Sequence, residues 1–109
     1  MVKKPIPKKI EKEIKEYIYA LKEDNLPIKK VILFGSYAKD KQKSWSDIDL
    51  CIVSPRFKNA FIAMQYLFLK RLKDKTPVIS PVGFSPQDFE DKFDTFIDEI
   101  KTTGIEISL

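Results

Sequence analysis

The residues of this chain best suited to chemistry are Gly35, Ser36, Asp47 and Asp49. Gly35-Ser36 closes the apolar run Val31-Ile-Leu-Phe34, and after ten intervening residues Asp47-Ile-Asp49 opens a second run that ends at Val53-Ser54. Residues two apart on a strand point the same way, so the two carboxylates project from one face with Cα atoms roughly 6.5–7 Å apart. Two such charges about 5 Å apart repel by around 3 kcal/mol at an effective dielectric of about 20, and a divalent cation between them relieves that repulsion. Glycine lets a phosphate approach the backbone, the serine hydroxyl can bond a phosphate oxygen, and a helix starting there would offer free N–H donors. Phosphates at one end and metal at the other describe a Mg²⁺-nucleotide site. A bare Asp-x-Asp is equally what two solvated acids at a strand start look like, and the glycine–serine turn is what favours the site.

No histidine occurs among the 109 residues, which excludes Ser–His and Cys–His nucleophiles, histidine acid–base catalysis and histidine-ligated metals. Chemistry here rests on carboxylates, whose oxygens suit hard cations such as magnesium and, through them, phosphate substrates. The single cysteine, Cys51, can form neither an internal disulfide nor a cysteine-rich zinc site. It fits a reducing compartment and packs as a small hydrophobe. No window approaches the roughly 18 apolar residues of a membrane span, and Met1-Val-Lys-Lys-Pro5 lacks the apolar run of a secretory signal, so the expected location is cytoplasmic.

Length and a hydrophobic content of 43% suit one domain over residues 1–109. The net charge of +4 conceals an asymmetry, because residues 57–80 carry five basic side chains against one acidic and residues 81–109 two against seven. A basic excess can attract nucleic acid or nucleotide phosphates, and it is also the composition of a solvated helix face. The charged fraction of 33%, against roughly 25% in average proteins, hints at a heat-adapted source.

Four helical and four extended segments must position the candidate site. Ile10, Ile14, Tyr17, Ile18 and Leu21 recur at helical spacing and predict an amphipathic helix from Lys8 to about Asp24, ended by Asn25 and Pro27, with Glu11–Lys15 pairing on its wet face. Val31–Phe34 reads as a buried strand, Ser36–Lys41 as one or two helical turns, and Asp47–Val53 as a second strand stopped by Pro55. Phe57 to about Lys75 reads as a helix with one stripe of Phe57, Phe61, Met64, Phe68 and Leu72 and a second of Ile62, Tyr66 and Leu69. A second stripe calls for cover, from another element of this domain, a partner chain or a second copy. Val78–Phe84 predicts a strand whose Pro81 places it at an edge or bulge. Ser85-Pro86-Gln87-Asp88 starts a helix carrying Phe89, Phe93, Phe96, Ile97 and Ile100, Gly104 ends it, and Ile105, Ile107 and Leu109 alternate as a last strand. The fold class is α/β with a small mixed sheet flanked by helices.

Leu33-Phe34-Gly35-Ser36-Tyr37-Ala38-Lys39 followed by Ser46-Asp47-Ile48-Asp49-Leu50 resembles the signature of the minimal nucleotidyltransferase (MNT) domains of the DNA polymerase β superfamily. The likeness extends weakly to Gly83–Phe89 and to Ile100–Ile105. It implies a palm-like mixed sheet, with Gly35, Ser36 and Lys39 at the triphosphate of ATP or another NTP and Asp47 and Asp49 as catalytic, Mg²⁺-holding residues. Domains of this kind are similar to the antitoxins of HEPN/MNT toxin–antitoxin pairs, some of which adenylylate a tyrosine of their HEPN partner, an all-helical ribonuclease. The family often has glycine where this chain has Asp40, a residue that tolerates left-handed backbone. The family's active members carry a third carboxylate on the next strand. That position falls at or near Ser80, and Val78–Phe84 contains no acid; Asp88 and Glu90 lie on the following helix.

Two functions follow from the resemblance. One is Mg²⁺-dependent transfer of NMP, AMP from ATP foremost, to a hydroxyl of a HEPN-type partner. The other is a nucleotidyltransferase-fold module that binds nucleotide and neutralises that partner by contact with little catalysis, using the Ile62, Tyr66 and Leu69 stripe, which could also join two copies. Polyadenylating and CCA-adding relatives use additional RNA-binding domains, so a nucleic-acid substrate is disfavoured. Lys39, Lys41 and Lys43 read as phosphate neighbours or plain surface, and Trp45 as loop packing or a base-stacking ring.

Overall fold

The computed structural model describes residues 6–41, 43, 46–71 and 78–109. Pro7 leads into α1 (Lys8–Glu23), whose first turn lacks a side-chain cap. The helix stops where Asn25 takes a left-handed conformation, φ 62°, as asparagine tolerates better than most residues. Ile10, Ile14, Tyr17, Ile18 and Leu21 are buried as the periodicity requires, and Glu13 joins them at the margin of the stripe. Lys15 pairs with Glu11 at 3.0 Å on the wet face.

Strands β1 (Lys30–Phe34), β2 (Ile48–Val53), β3 (Ile79–Phe84) and β4 (Ile105–Glu106) form one mixed sheet in the order β3-β2-β1-β4. β1 runs antiparallel to β2 and β4, and β3 runs parallel to β2. Pro81 therefore sits on an edge strand, where a missing N–H donor costs no interior ladder bond. Alternation divides the strand residues between two layers. Val31, Leu33, Ile48, Leu50 and Ile52 join the α1 core, while Ile32, Cys51, Val53 and Phe84 pack with Phe89, Ile97 and Ile100 on the other side. Cys51 is a buried free thiol, a core filler as its isolation suggested.

The segment after β2 departs from its periodic reading. Its helix, α2 (Ala60–Leu69), is shorter than Phe57–Lys75 and starts at Asn59, whose side chain accepts the Ile62 N–H. Leu72 and the expected end at Lys75 lie outside the described residues. Only Ala63 and Leu67 of the helix are fully buried, while Phe61, Met64 and Phe68 of the expected inner stripe are exposed, along with Ile62 and Leu69. Packing decides the orientation. A Cβ on Gly83 of β3 would stand 2.7 Å from Ala63, 2.8 Å from Phe57 and 2.9 Å from Leu67, so glycine opens a seat that only the small Ala63 side of α2 fills. Tyr17 Oη donates to the Leu67 carbonyl at 2.7 Å, tying α1 to α2. Tyr66 is half-buried and donates to the Asp24 carboxylate, so it does not belong to the outward stripe.

The single helix expected after Ser85 is two. Ser85 Oγ accepts the Asp88 N–H at 3.0 Å and starts α3 (Pro86–Phe89). The Asp91 carboxylate then accepts the Phe93 N–H, and Asp94 caps a new helix, α4 (Thr95–Thr103), through the Phe96 and Ile97 N–H groups. Asx turns of this kind compete with helix continuation, and Phe93, caught between them, points to solvent. Gly104 is the C-cap in extended backbone, and β4 follows it directly. No described helix is long and apolar enough to cross a membrane.

Candidate functional site

The site residues meet at the end of the sheet where β1 turns. Phe34, the last residue of β1, is the register partner of Asp49 on β2. Gly35 then adopts φ 74°, and a methyl group added to it would overlap the Asp49 carboxylate. Glycine is required twice over, once for the left-handed turn and once to make room for the acid beside it.

After Gly35 the chain forms a single closed turn. The Lys39 N–H donates to the Gly35 carbonyl at 3.1 Å and the Lys41 N–H to the Ser36 carbonyl at 2.8 Å, with Asp40 left-handed at φ 58°. A bond reaching back five residues across a left-handed position is the closure of a helix end. The helix expected over Ser36–Lys41 is thus terminated as soon as it begins, with Asp40 at the glycine-type position. Ser36 is half-buried, and its hydroxyl bonds to no described residue.

Asp47 is exposed one residue ahead of β2, and Asp49 is half-buried within it. Burial pushes the Asp49 carboxyl above the ordinary aspartate value, and the Asp47 charge pushes it further. The two carboxylates are thus close enough to interact. Across the parallel ladder the register partner of Asp49 is Ser80, and partners in a ladder share a face, so the position expected for a third carboxylate holds a hydroxyl. Among the described residues no cluster of three or more acidic, histidine or cysteine side chains could hold a metal ion. Asp88 and Glu90 do not supply the missing acid, since α3 packs at the far end of β3 where Phe84 meets Phe89.

Lys39, read as a phosphate neighbour or plain surface, is engaged by α4. Its ammonium pairs with Glu99 of α4 at 3.1 Å, with both side chains partly exposed. Lys41 and Lys43 are exposed, and Trp45 lies outside the described residues. Two neighbours had no local sequence signal. Glu99 is 60 residues from Lys39, and Phe96 of α4 packs edge-on against Phe34 with ring centroids 5.7 Å apart. Two hollows bordered by described residues, about 540 Å³ along α4 and about 390 Å³ between β1 and the C-terminal helices, include none of Gly35, Ser36, Asp47 or Asp49.

A glycine–serine turn pressed against paired aspartates on a small mixed sheet is the arrangement of a nucleotide-transferring domain. Residues 8–107 match the nucleotidyltransferase domain family, and the chain belongs to it. A protein of Methanocaldococcus jannaschii provisionally described as a protein adenylyltransferase is 54% identical over 44 residues, which are 39% of this chain and 44% of that protein. The match thus spans less than half the length of that relative. A crystal structure provisionally described as a nucleotidyltransferase from Sulfolobus solfataricus shares the fold with a TM-score of 0.64 at 18% identity, covering 90% of this chain and 78% of that one.

Proposed function

We propose that this chain transfers AMP from Mg²⁺-ATP to a hydroxyl of a partner protein, and that the partner is a HEPN-type helical toxin which the transfer silences. The observation that carries the reading is the contact of Gly35 with the Asp49 carboxylate, which sets a phosphate-approachable turn beside Asp47 and Asp49. The description of the M. jannaschii relative supports an adenylyl group and a protein acceptor. Two carboxylates without a third suit magnesium, which keeps several waters and is held by one or two carboxylates together with substrate phosphates. When bound, such a cation neutralises charge on the phosphates and polarises them.

The chain's own residues have separable roles in this reading. The backbone at Gly35 and the Ser36 hydroxyl would receive the triphosphate, Lys39 would exchange Glu99 for a phosphate oxygen, and Asp47 and Asp49 would hold the cation. The acceptor hydroxyl oxygen would attack the α-phosphorus in line, its bond to phosphorus forming as the bond to the bridging oxygen breaks, with pyrophosphate leaving and the hydroxyl proton passing to solvent. The test is transfer of label from ATP labelled at the α-phosphate onto the product of the neighbouring gene. Label on that protein, absent with Asp47→Ala, is the expected result; no label under any condition overturns the reading.

A second reading is favoured by the Asp49–Ser80 register. A hydroxyl where an acid would activate the acceptor suits a module that binds Mg²⁺-ATP and neutralises its partner by contact. An Asp47→Ala, Asp49→Ala double variant that still binds the toxin but no longer protects against it would rule this version out.

A further inference from the structure

We propose that the outward face of α2 is a docking surface for a protein partner presenting an apolar helix flanked by carboxylates. This surface lies on the opposite side of the sheet from Asp49, so the inference does not rest on the nucleotide reading.

Three observations support it. First, the face is apolar where a surface helix would be polar. Leu69 is 84% exposed and Phe61 64%, with Ile62, Met64 and Phe68 beside them, and Gln65 is the one polar residue between the two rows. Exposed apolar clusters on this scale mark binding surfaces. Second, the face cannot be hidden by rolling the helix, because the Gly83 seat admits only its Ala63 side and the Tyr17 hydroxyl holds the Leu67 carbonyl.

Third, the charge around the face is basic in excess, with Asp24 the acid that reaches it, through Tyr66 and Lys70. No Asp or Glu occurs from Leu50 to Arg71, while Arg56, Lys58, Lys70 and Arg71 do. Lys70 is answered by Asp24 at 3.2 Å, and the Arg71 guanidinium lies over the Phe68 ring, 4.4 Å from its centroid, at the border of the face. A second copy docked face to face would bring these cations together, a repulsion that disfavours self-pairing. α2 has 10 residues. Its length of about 15 Å suits two to three turns of a partner helix. Apolar side chains for the rows and carboxylates for the rim complete the match, in the manner of helix-in-groove recognition.

The test uses the whole chain, labelled with ¹⁵N, and two synthetic helical peptides that share one leucine face, one flanked by glutamate and the other by lysine. The expected result is that the glutamate peptide shifts the amide signals of Phe61, Gln65 and Leu69, and binds at least about tenfold tighter than its lysine twin, a difference that added salt erodes. Leu69→Asp should weaken that binding by about tenfold or more while the circular dichroism melt stays unchanged, and Leu69→Ser should weaken it without adding charge. Equal affinity for the twins, no binding, or shifts confined to other elements overturns the proposal. So does tighter attachment to phosphatidylserine–phosphatidylcholine vesicles than to the glutamate peptide, which makes the face a membrane surface. A dimer that Leu69→Asp dissolves overturns it in favour of a second copy.

Discussion

Asp49 is the residue on which the site's opposing demands fall. It is half-buried behind Gly35 and faces the charge of Asp47, and both raise its carboxyl above the ordinary 3.8. A carboxyl that ionises less readily in the fold than in the unfolded chain costs stability above its raised value, and the cost vanishes below about 3.8. Asp49→Asn in nucleotide-free protein should therefore melt a few degrees higher at pH 7, with the gain closing as the pH falls toward 4, as thermal melts across pH would show. On the proposed function Mg²⁺-ATP should raise the melting temperature of the parent, and the same variant should lose that rise. Ser80 carries the complementary prediction. Ser80→Asp places a third acid in register with Asp49, and transfer of α-labelled phosphate should rise by about tenfold or more; an unchanged rate would mean that this position does not limit turnover. Strand alternation made the pairing of Asp47 with Asp49 legible before any coordinates, and the family resemblance pointed to the Ser80 position. The ion pair of Lys39 with Glu99 was not, because nothing local to either residue announces a partner 60 positions away.

At the scale of elements, α1, the core strands and the edge position of β3 follow from period, length and Pro81. The readings that failed did so for one physical reason, that a small residue or a cap outvoted a hydrophobic period. α2 is apolar all round, so its sequence held no preference between faces, and the choice fell to Gly83. Gly83→Val should accordingly destabilise the protein by about 1–3 kcal/mol in urea unfolding, with the largest hydrogen-exchange loss in α2. If α2 exchange were unchanged, the seat would not be what orients the helix. Phe89, Phe93, Phe96 and Ile100 kept a helical period across a segment that Asp91 and Asp94 interrupt. The Ser36–Lys41 segment has a helix-like sequence too, but the left-handed Asp40 closes it after one turn.

Across the whole molecule, the sheet separates a layer built from α1 and α2 from one built from α3 and α4, and Cys51 sits at the heart of the second. Its thiol is pushed up to about 12 by burial, so it should be unreactive toward thiol reagents at pH 8 in the fold. Labelling should track global unfolding as urea is added, and fast labelling of native protein would show that α3 and α4 open independently. The pairing of β4 with β1 has a further consequence. Ile105 meets Leu33 and Glu106 meets Ile32, so the strand that leads into Gly35 stays without its second neighbour until residue 106 has been made. A ribosome-bound chain can join β1 to β2 early, yet it presents an unpaired strand edge until β4 has emerged, and that interval is when the edge of β1 is most exposed to pairing with a stranger.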